Sequence, residues 1–179
     1  PISTQQSGFV FVAQMRANLP DAVGGVLWFG TDDANMTVFT PVYCCTTKAP
    51  VCYTRVDGAD YITFSWNSAF WIFNWVANMV YPRYDLMIGD VRATQNELET
   101  TFNEAQEGIE AVAVKLYEKN PETAVKFLTN YTDMTAQSTF DTWKRLGEFI
   151  IVKYNDGVIR KMKDGKFERN AIGQPAGVV

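Results

Sequence analysis

The sequence predicts an α+β fold. Three observations carry it: strand patterning holds up to about Arg55, the hydrophobic period turns helical from Ser65, and turn signals near the end return the chain to β. A length of 179 residues fits one domain, and 47% apolar residues can build a core. The expected organisation is strands over 7–45, helices over 65–148, a hairpin over 149–162 and a tail over 167–179.

The first strand runs from Gly8 to Arg16. It is rich in aromatic and branched residues and almost continuously apolar, the pattern of a strand covered on both faces. Leu19 to Gly25 carries turn chemistry, and Val26-Leu27-Trp28-Phe29-Gly30 is the second strand. Thr31-Asp32-Asp33-Ala34-Asn35 is a tight connection. The third strand spans Met36 to Tyr43, with Pro41 placing it at an edge or a bulge. Short links make these strands antiparallel neighbours. The sheet is small for so much apolar surface, which points to further strands outside this chain.

Ala69 to Val80 contains two polar residues, Asn74 and Asn78, spaced i,i+4 on one helix face. A helix apolar nearly all round belongs in a core or at a subunit contact, and that is the expectation for the segment around Trp71 and Trp75. It falls short of the roughly 20 apolar residues of a membrane span. The two asparagines read as buried amides satisfied by backbone or by each other. Pro82 breaks or kinks this helix. An apolar stripe follows through Met87, Val91, Leu98, Phe102, Ala105, Ile109, Val112 and Leu116, interrupted by Gly89 and Gly108. Asn120-Pro121-Glu122 is a helix start with proline at its first position. It opens a short helix to about Asn130, and another runs from about Asp133 to Glu148. Phe149–Tyr154 and Val158–Met162 flank Asn155-Asp156-Gly157 as a hairpin, Lys163-Asp164-Gly165-Lys166 is a second turn, and Ile172 to Val179 is a loose tail.

Composition excludes several functions. There is no histidine, so neither a Ser-His-Asp nor a Cys-His arrangement exists within the chain, nor an imidazole metal ligand. A proton must move through a carboxylate, lysine, tyrosine or terminal amine instead. Sixteen basic against twenty acidic residues give a net charge of −4, which argues against a nucleic-acid partner. The basic run from Lys153 to Arg169 reads as a solvated hairpin.

Candidate chemistry is sparse. Three cysteines do not make a disulfide scaffold, although Cys44 or Cys45 could pair with Cys52 across Pro50; small buried side chains are the simpler reading. Asp32-Asp33 supplies too few oxygens for a hard cation, and a turn explains both. Gly24-Gly25 stands alone without a phosphate-binding pattern, and no cofactor is expected. Position alone supports Pro1 as a catalytic secondary amine. The chain begins at Pro1 without an initiator methionine or signal pattern, so removal of an upstream segment, or a longer parent polypeptide, is expected.

Several separated blocks carry a family likeness. Ser3 to Arg16, Leu19-Pro20-Asp21, Gly24-Gly25-Val26 and Trp28-Phe29-Gly30 form the first group. Phe64-Ser65-Trp66-Asn67-Ser68-Ala69-Phe70-Trp71, Asn74, Val76-Ala77-Asn78, Arg83-Tyr84 and Lys153-Tyr154-Asn155-Asp156-Gly157 form the second. Together they span nearly the whole chain, which resembles the carboxyl-terminal portion of the dipeptidase A family of cysteine peptidases. The resemblance implies an N-terminal-nucleophile hydrolase, an αββα sandwich of two antiparallel sheets between helical layers. It also implies dipeptide hydrolysis by an amino-terminal cysteine whose own α-amino group is the base; an amine of pKa near 8 needs no histidine.

The first residue here is proline, so the resemblance puts the nucleophile in a missing amino-terminal part of the same protein. The expected partners are therefore that part and a dipeptide substrate, with self-association through the Trp71–Trp75 helix. In related amidases a polar or basic side chain near the start of the corresponding strand faces the nucleophile. By position Thr4, Gln6, Ser7 and Arg16 are the substrate-binding candidates, with ordinary strand-edge polarity as the plainer explanation. The other readings are a non-enzymatic interaction or structural module, and an amidase of acylated small molecules.

Overall fold

A computed structural model describes residues 3–178; Pro1, and with it the terminal-amine reading, lies outside the described residues, as does Val179. The chain opens with strand β1 (Phe9–Met15), a single turn α1 (Asp21–Gly24), β2 (Gly25–Thr31) and β3 (Thr40–Tyr43). These form one antiparallel sheet in the order β1-β2-β3, with Phe9 opposite Thr31, Met15 opposite Gly25 and Val26 opposite Tyr43. The third strand is shorter than its apolar run. Met36 and Val38 are fully buried but leave the ladder, and Pro41 sits on the edge strand, where its missing N–H is tolerated.

Helix α2 (Ala69–Val80) follows, then α3 (Tyr84–Lys119) and α4 (Pro121–Tyr154). Only Asn120 separates α3 from α4, so the two long helices run antiparallel as neighbours. The Asn120 side chain accepts the Glu122 N–H at 2.9 Å, and Pro121 occupies the first turn, where its lost donor costs nothing. Gly89 and Gly108 do not interrupt α3: both are exposed, and a Cβ at either would meet nothing. The buried stripe differs from the sequence reading at one step, with Ala113 buried and Val112 exposed.

The break expected between Asn130 and Asp133 is absent, and α4 is one helix. Its threonines face the outer edge of β3. Thr132 Oγ1 accepts the Tyr43 N–H at 3.2 Å, Thr129 Oγ1 accepts that of Thr47 at 3.3 Å, and Thr139 Oγ1 lies 3.3 Å from the Thr40 hydroxyl. Thr132, in the expected break, thus supplies an acceptor to the Tyr43 N–H, a strand-edge donor that would otherwise be buried unpaired.

The expected strand Phe149–Tyr154 is also helical. Leu146, Ile150 and Tyr154 recur every fourth residue and are buried, while Ile151 and Val152 face outward; tertiary packing overrides β propensity. The last turn is tied to α3: Lys153 Nζ lies 2.8 Å from both oxygens of Asp90, and the Tyr154 hydroxyl is 2.7 Å from one of them. Asp156 and Gly157 do adopt the positive φ of a tight turn (59° and 71°), but the turn closes a helix and not a hairpin. The Lys163–Lys166 turn forms a hairpin of β5 (Met162–Lys163) and β6 (Lys166–Phe167). The end of the chain is not loose, because β7 (Gly177–Val178) pairs with β4 (Ile159–Arg160).

Two buried clusters hold these parts together. One joins α2, α3 and α4 around Trp143, whose ring stacks on Phe73 at 4.6 Å between centroids. The other fixes Val23, Val26 and Tyr43 of the sheet region against Ala113, Leu128 and Tyr131 of the long helices. Only one face of the sheet is covered in this way. On β1, Phe9, Phe11 and Met15 of one face are 58%, 51% and 73% exposed, while Val10 and Gln14 of the other are half-buried, so the strand read as covered on both faces is an edge strand bare on one and partly covered on the other. Its apolar sequence belongs to a central strand; its position does not.

Candidate active site

The sheet end where β2 finishes carries the most unusual chemistry in the described chain. Thr31 is followed by Asp32 in the left-handed region (φ 65°), a conformation that aspartate tolerates better than most residues. Asp32 and Asp33 are 1% and 0% exposed, so the pair is far more than a solvated turn. Asn74 on α2 donates from Nδ2 to Asp32 Oδ1 at 3.0 Å, while Asp32 Oδ2 is buried with no partner. Burial is the main cause that lifts the Asp32 carboxyl from 3.8 to about 6, partly offset by the Asn74 hydrogen bond.

Asp33 is better served. It accepts from the Asn35 N–H at 3.0 Å and from the hydroxyls of Ser3 and Tyr81. Burial and this carboxylate push the Tyr81 phenol up to about 12. Asn78 donates to the Asn74 backbone oxygen at 2.8 Å and to its side-chain oxygen at 3.2 Å. The two asparagines do bond to each other, as their spacing suggested, but Asn74 is half-buried and Asn78 exposed, so they line a surface and are not core amides.

Residues 3–8 run alongside. A turn closes from the Ser7 N–H to the Thr4 carbonyl at 3.1 Å, the Thr4 and Ser7 hydroxyls lie 3.4 Å apart, and the Asp32 N–H donates to the Gly8 carbonyl at 3.0 Å. Thr4, Gln6 and Ser7 therefore share the sheet end of Asp32. Arg16 does not. It lies at the other end of β1, about 30 Å away at the rise of a strand, and its Nη1 meets Glu110 Oε2 of α3 at 2.6 Å. Glu110 also accepts from the Tyr43 hydroxyl at 3.1 Å and from Gln106 at 3.0 Å, so Arg16 pins β1 to the helical layer.

On the uncovered face of β1 and β2, a cavity of about 490 Å³ opens beside the same sheet end. Phe9, Phe29, Tyr53 and Phe70 form much of its wall, with Thr31 among the lining residues. The loop bordering it is held by α2, since Trp71 Nε1 donates to the carbonyls of Asp60 and Thr63 at 3.0 and 2.8 Å. Trp75 packs on Gly147 of α4 so closely that a Cβ there would strike its ring. Both tryptophans thus have work within the fold.

The thiols stand apart from this chemistry. Cys44 is exposed, Cys45 half-buried and Cys52 buried, and none is in a disulfide. Burial pushes the Cys52 thiol up to about 12 and raises that of Cys45, the opposite of an activated nucleophile. Among the described residues, no group of three or more His, Cys, Asp or Glu is placed to hold a metal ion, and no helix is long and apolar enough to cross a membrane. Sequence reading missed the Asp32 site because nothing in an Asp-Asp pair after a strand announces burial. The available signal was Asn74, an amide on an otherwise apolar helix.

Comparison with known proteins gives this geometry a context. The profile of peptidase family C69 matches residues 1–97, which hold the sheet, α2 and the start of α3. A relative named probable dipeptidase B, from Lactococcus lactis subsp. lactis (strain IL1403), is 29% identical over 143 residues. That alignment covers 72% of this chain and 28% of the relative, so the chain spans well under a third of the protein it matches. A profile match over more than half of the chain, coinciding with the elements that build the Asp32 site, settles the assignment: the chain belongs to peptidase family C69.

Proposed function

We propose that this chain is the carboxyl-terminal part of a single peptidase domain, a cysteine dipeptidase of the N-terminal-nucleophile class. Its sheet forms one side of an αββα sandwich, and the missing amino-terminal part supplies the other sheet and the nucleophile. The observation that carries this reading is β1, a seven-residue, largely apolar strand whose Phe9–Phe11–Met15 face is exposed and which, among the described residues, has one edge unpaired. A strand of that kind in water invites a partner strand along its edge, and a further sheet packed on Phe9, Phe11 and Met15 would cover its bare face. The short span of the chain relative to the dipeptidase B relative supports the same arrangement.

The thiol chemistry agrees. Cys45 and Cys52 have raised pKa values, and the chain holds no histidine to take their protons. A terminal cysteine carries its own base: the α-amino group accepts the thiol proton, the thiolate attacks the scissile carbonyl, and the amine leaving group takes a proton as the thioester forms. Water then releases the acyl group. At the sheet end, Thr4, Gln6 and Ser7 stand where substrate would approach, with the Asp32–Asn74 pair behind them; Arg16 serves the scaffold. Self-association, if it accompanies this function, would use the exposed aromatic rim of Phe64 and Trp66 beside Trp71 and Trp75.

Dipeptide hydrolysis by this chain and by the complete polypeptide tests the reading. We expect turnover only from the complete protein. Turnover by the 179-residue chain that survives replacement of Cys44, Cys45 and Cys52 would overturn it.

A further inference from the structure

Asp57-Gly58, Asp156-Gly157 and Asp164-Gly165 are the Asp-Gly steps of the sequence, and each is a turn with both residues in the left-handed region. Such a step can rearrange without a catalyst. The glycine nitrogen attacks the aspartate Cγ and loses its proton, and a carboxyl oxygen leaves as water while a five-membered succinimide closes. Water then opens the ring at either carbonyl. One opening restores aspartate; the other leaves isoaspartate, in which the main chain runs through the former side chain. Glycine permits the attack because it has no Cβ to obstruct the approach. The water released is taken up again, so no other reactant is consumed.

The reacting pair is the same at each step, so the surroundings decide. Asp57 is locked. Its Oδ2 accepts from the Ser65 hydroxyl and from Asn67 Nδ2, each at 2.7 Å, and these bonds hold its carboxyl below the usual range. An ionised carboxylate resists attack, and the attacking nitrogen is engaged as well, since the Gly58 N–H donates to the Arg55 carbonyl at 3.0 Å. Asp156 is braced between the last turn of α4, which Lys153 and Tyr154 tie to Asp90, and β4, which pairs with β7. Its Oδ2 also lies 3.6 Å from Arg160 Nη2. Asp164 has neither device. Asp164 and Gly165 are both exposed, and their turn joins β5 and β6, two strands of two residues each in a two-stranded sheet. A hairpin of that size is marginal in water. Its turn opens readily and lets the backbone reach an attack geometry that the closed left-handed turn denies.

We propose that Asp164 is a site of spontaneous isomerisation to isoaspartate, and that this modification releases the β5–β6 hairpin. The extra main-chain carbon within residue 164 breaks the two-residue turn that pairs Met162 with Phe167 and Lys163 with Lys166. Phe167, which stacks on Phe149 of α4 at 5.7 Å between centroids, then loses its hold on the helix. The proposal is independent of the peptidase reading.

Ageing of the complete protein at neutral pH tests it. Isoaspartate is located by electron-transfer fragmentation and quantified by methyl transfer from a protein isoaspartate methyltransferase. It is expected to accumulate several-fold faster at Asp164 than at Asp156 or Asp57, and most of the methyl acceptance should be lost in Asp164→Ser. Ser65→Ala combined with Asn67→Ala, which frees the Asp57 carboxyl, should raise isoaspartate at Asp57 several-fold. In guanidinium chloride the three steps should react at similar rates, because the protection is structural. Amide hydrogen exchange over Met162–Phe167 should quicken in the aged protein and stay unchanged in aged Asp164→Ser. Equal accumulation at Asp57 and Asp164 in the folded protein overturns the proposal, as does a lead of Asp164 that persists in denaturant. No isoaspartate at Asp164 overturns it too, including the case in which the upstream part covers the turn. Isoaspartate there without faster exchange overturns the release of the hairpin.

Discussion

Asn74 Nδ2 donates to Asp32 Oδ1 at 3.0 Å and bonds only one of the two carboxylate oxygens, leaving Oδ2 buried and unpaired. This places an incompletely solvated carboxyl at the end of the sheet, held from below by a helix otherwise committed to the core. Its raised pKa is therefore a property of position, and it has consequences for stability.

An aspartate whose folded pKa is about 6 against an ordinary 3.8 favours the native state only while protonated. The contribution is complete below about pH 4 and is lost as pH rises through 6. Asp32→Asn keeps the shape and tolerates the positive φ. In urea unfolding it should match the parent at pH 4 and exceed its stability at pH 7 by up to about 3 kcal/mol. A difference that stays constant from pH 4 to 7 would contradict this origin.

Two helical glycines should respond oppositely to alanine. At exposed Gly108 a Cβ meets nothing, so Gly108→Ala should stabilise by about 0.5–1 kcal/mol. At buried Gly147 the Cβ would enter the Trp75 ring, and Gly147→Ala should cost about 1–3 kcal/mol. Thermal melts of the two variants, side by side, check the packing of α2 on α4.

Arg16 separates scaffold from substrate. Its removal leaves Glu110, 8% exposed, as a buried charge with only the Tyr43 and Gln106 hydrogen bonds. Arg16→Met should destabilise by about 3 kcal/mol. Arg16→Met combined with Glu110→Gln should recover a large share of that loss, whereas a substrate contact would show no such rescue. Chemical denaturation of the single and double variants measures the coupling.

The exposed face of β1 yields a comparison between chain and complete protein. Phe11→Thr and Met15→Thr alter side chains 51% and 73% exposed, so each should change the stability of this chain by under about 0.5 kcal/mol. In the complete protein the same positions would lie beneath a second sheet, where each loss should reach about 2 kcal/mol. Matching small effects in both contexts would remove the covering sheet.

The α+β class, the antiparallel order of the first strands, α2 to the residue and the Asn120 cap were legible because local chemistry and period agree there. The α4 errors share one physical cause. Tyr131 and Thr132 read as a break and Phe149 to Tyr154 as a strand, because their partners (the β3 edge, Asp90 on α3) lie far away in sequence. Of the site, Thr4, Gln6 and Ser7 are candidates by position before the first strand, and the turn at Ser7 with the Asp32–Gly8 bond brings that segment beside Asp32. Asp32 was seen and set aside, since burial and an orphaned oxygen are tertiary facts. Arg16 showed its charge, but Glu110, 94 residues away, showed nothing of its destination.

The most direct measurement is covalent capture. The complete protein, treated with a dipeptidyl chloromethyl ketone and mapped by mass spectrometry, should lose activity as one label appears on an amino-terminal cysteine upstream of this chain. A label on Cys44, Cys45 or Cys52 that tracks the loss of activity would contradict the placement of the nucleophile outside it.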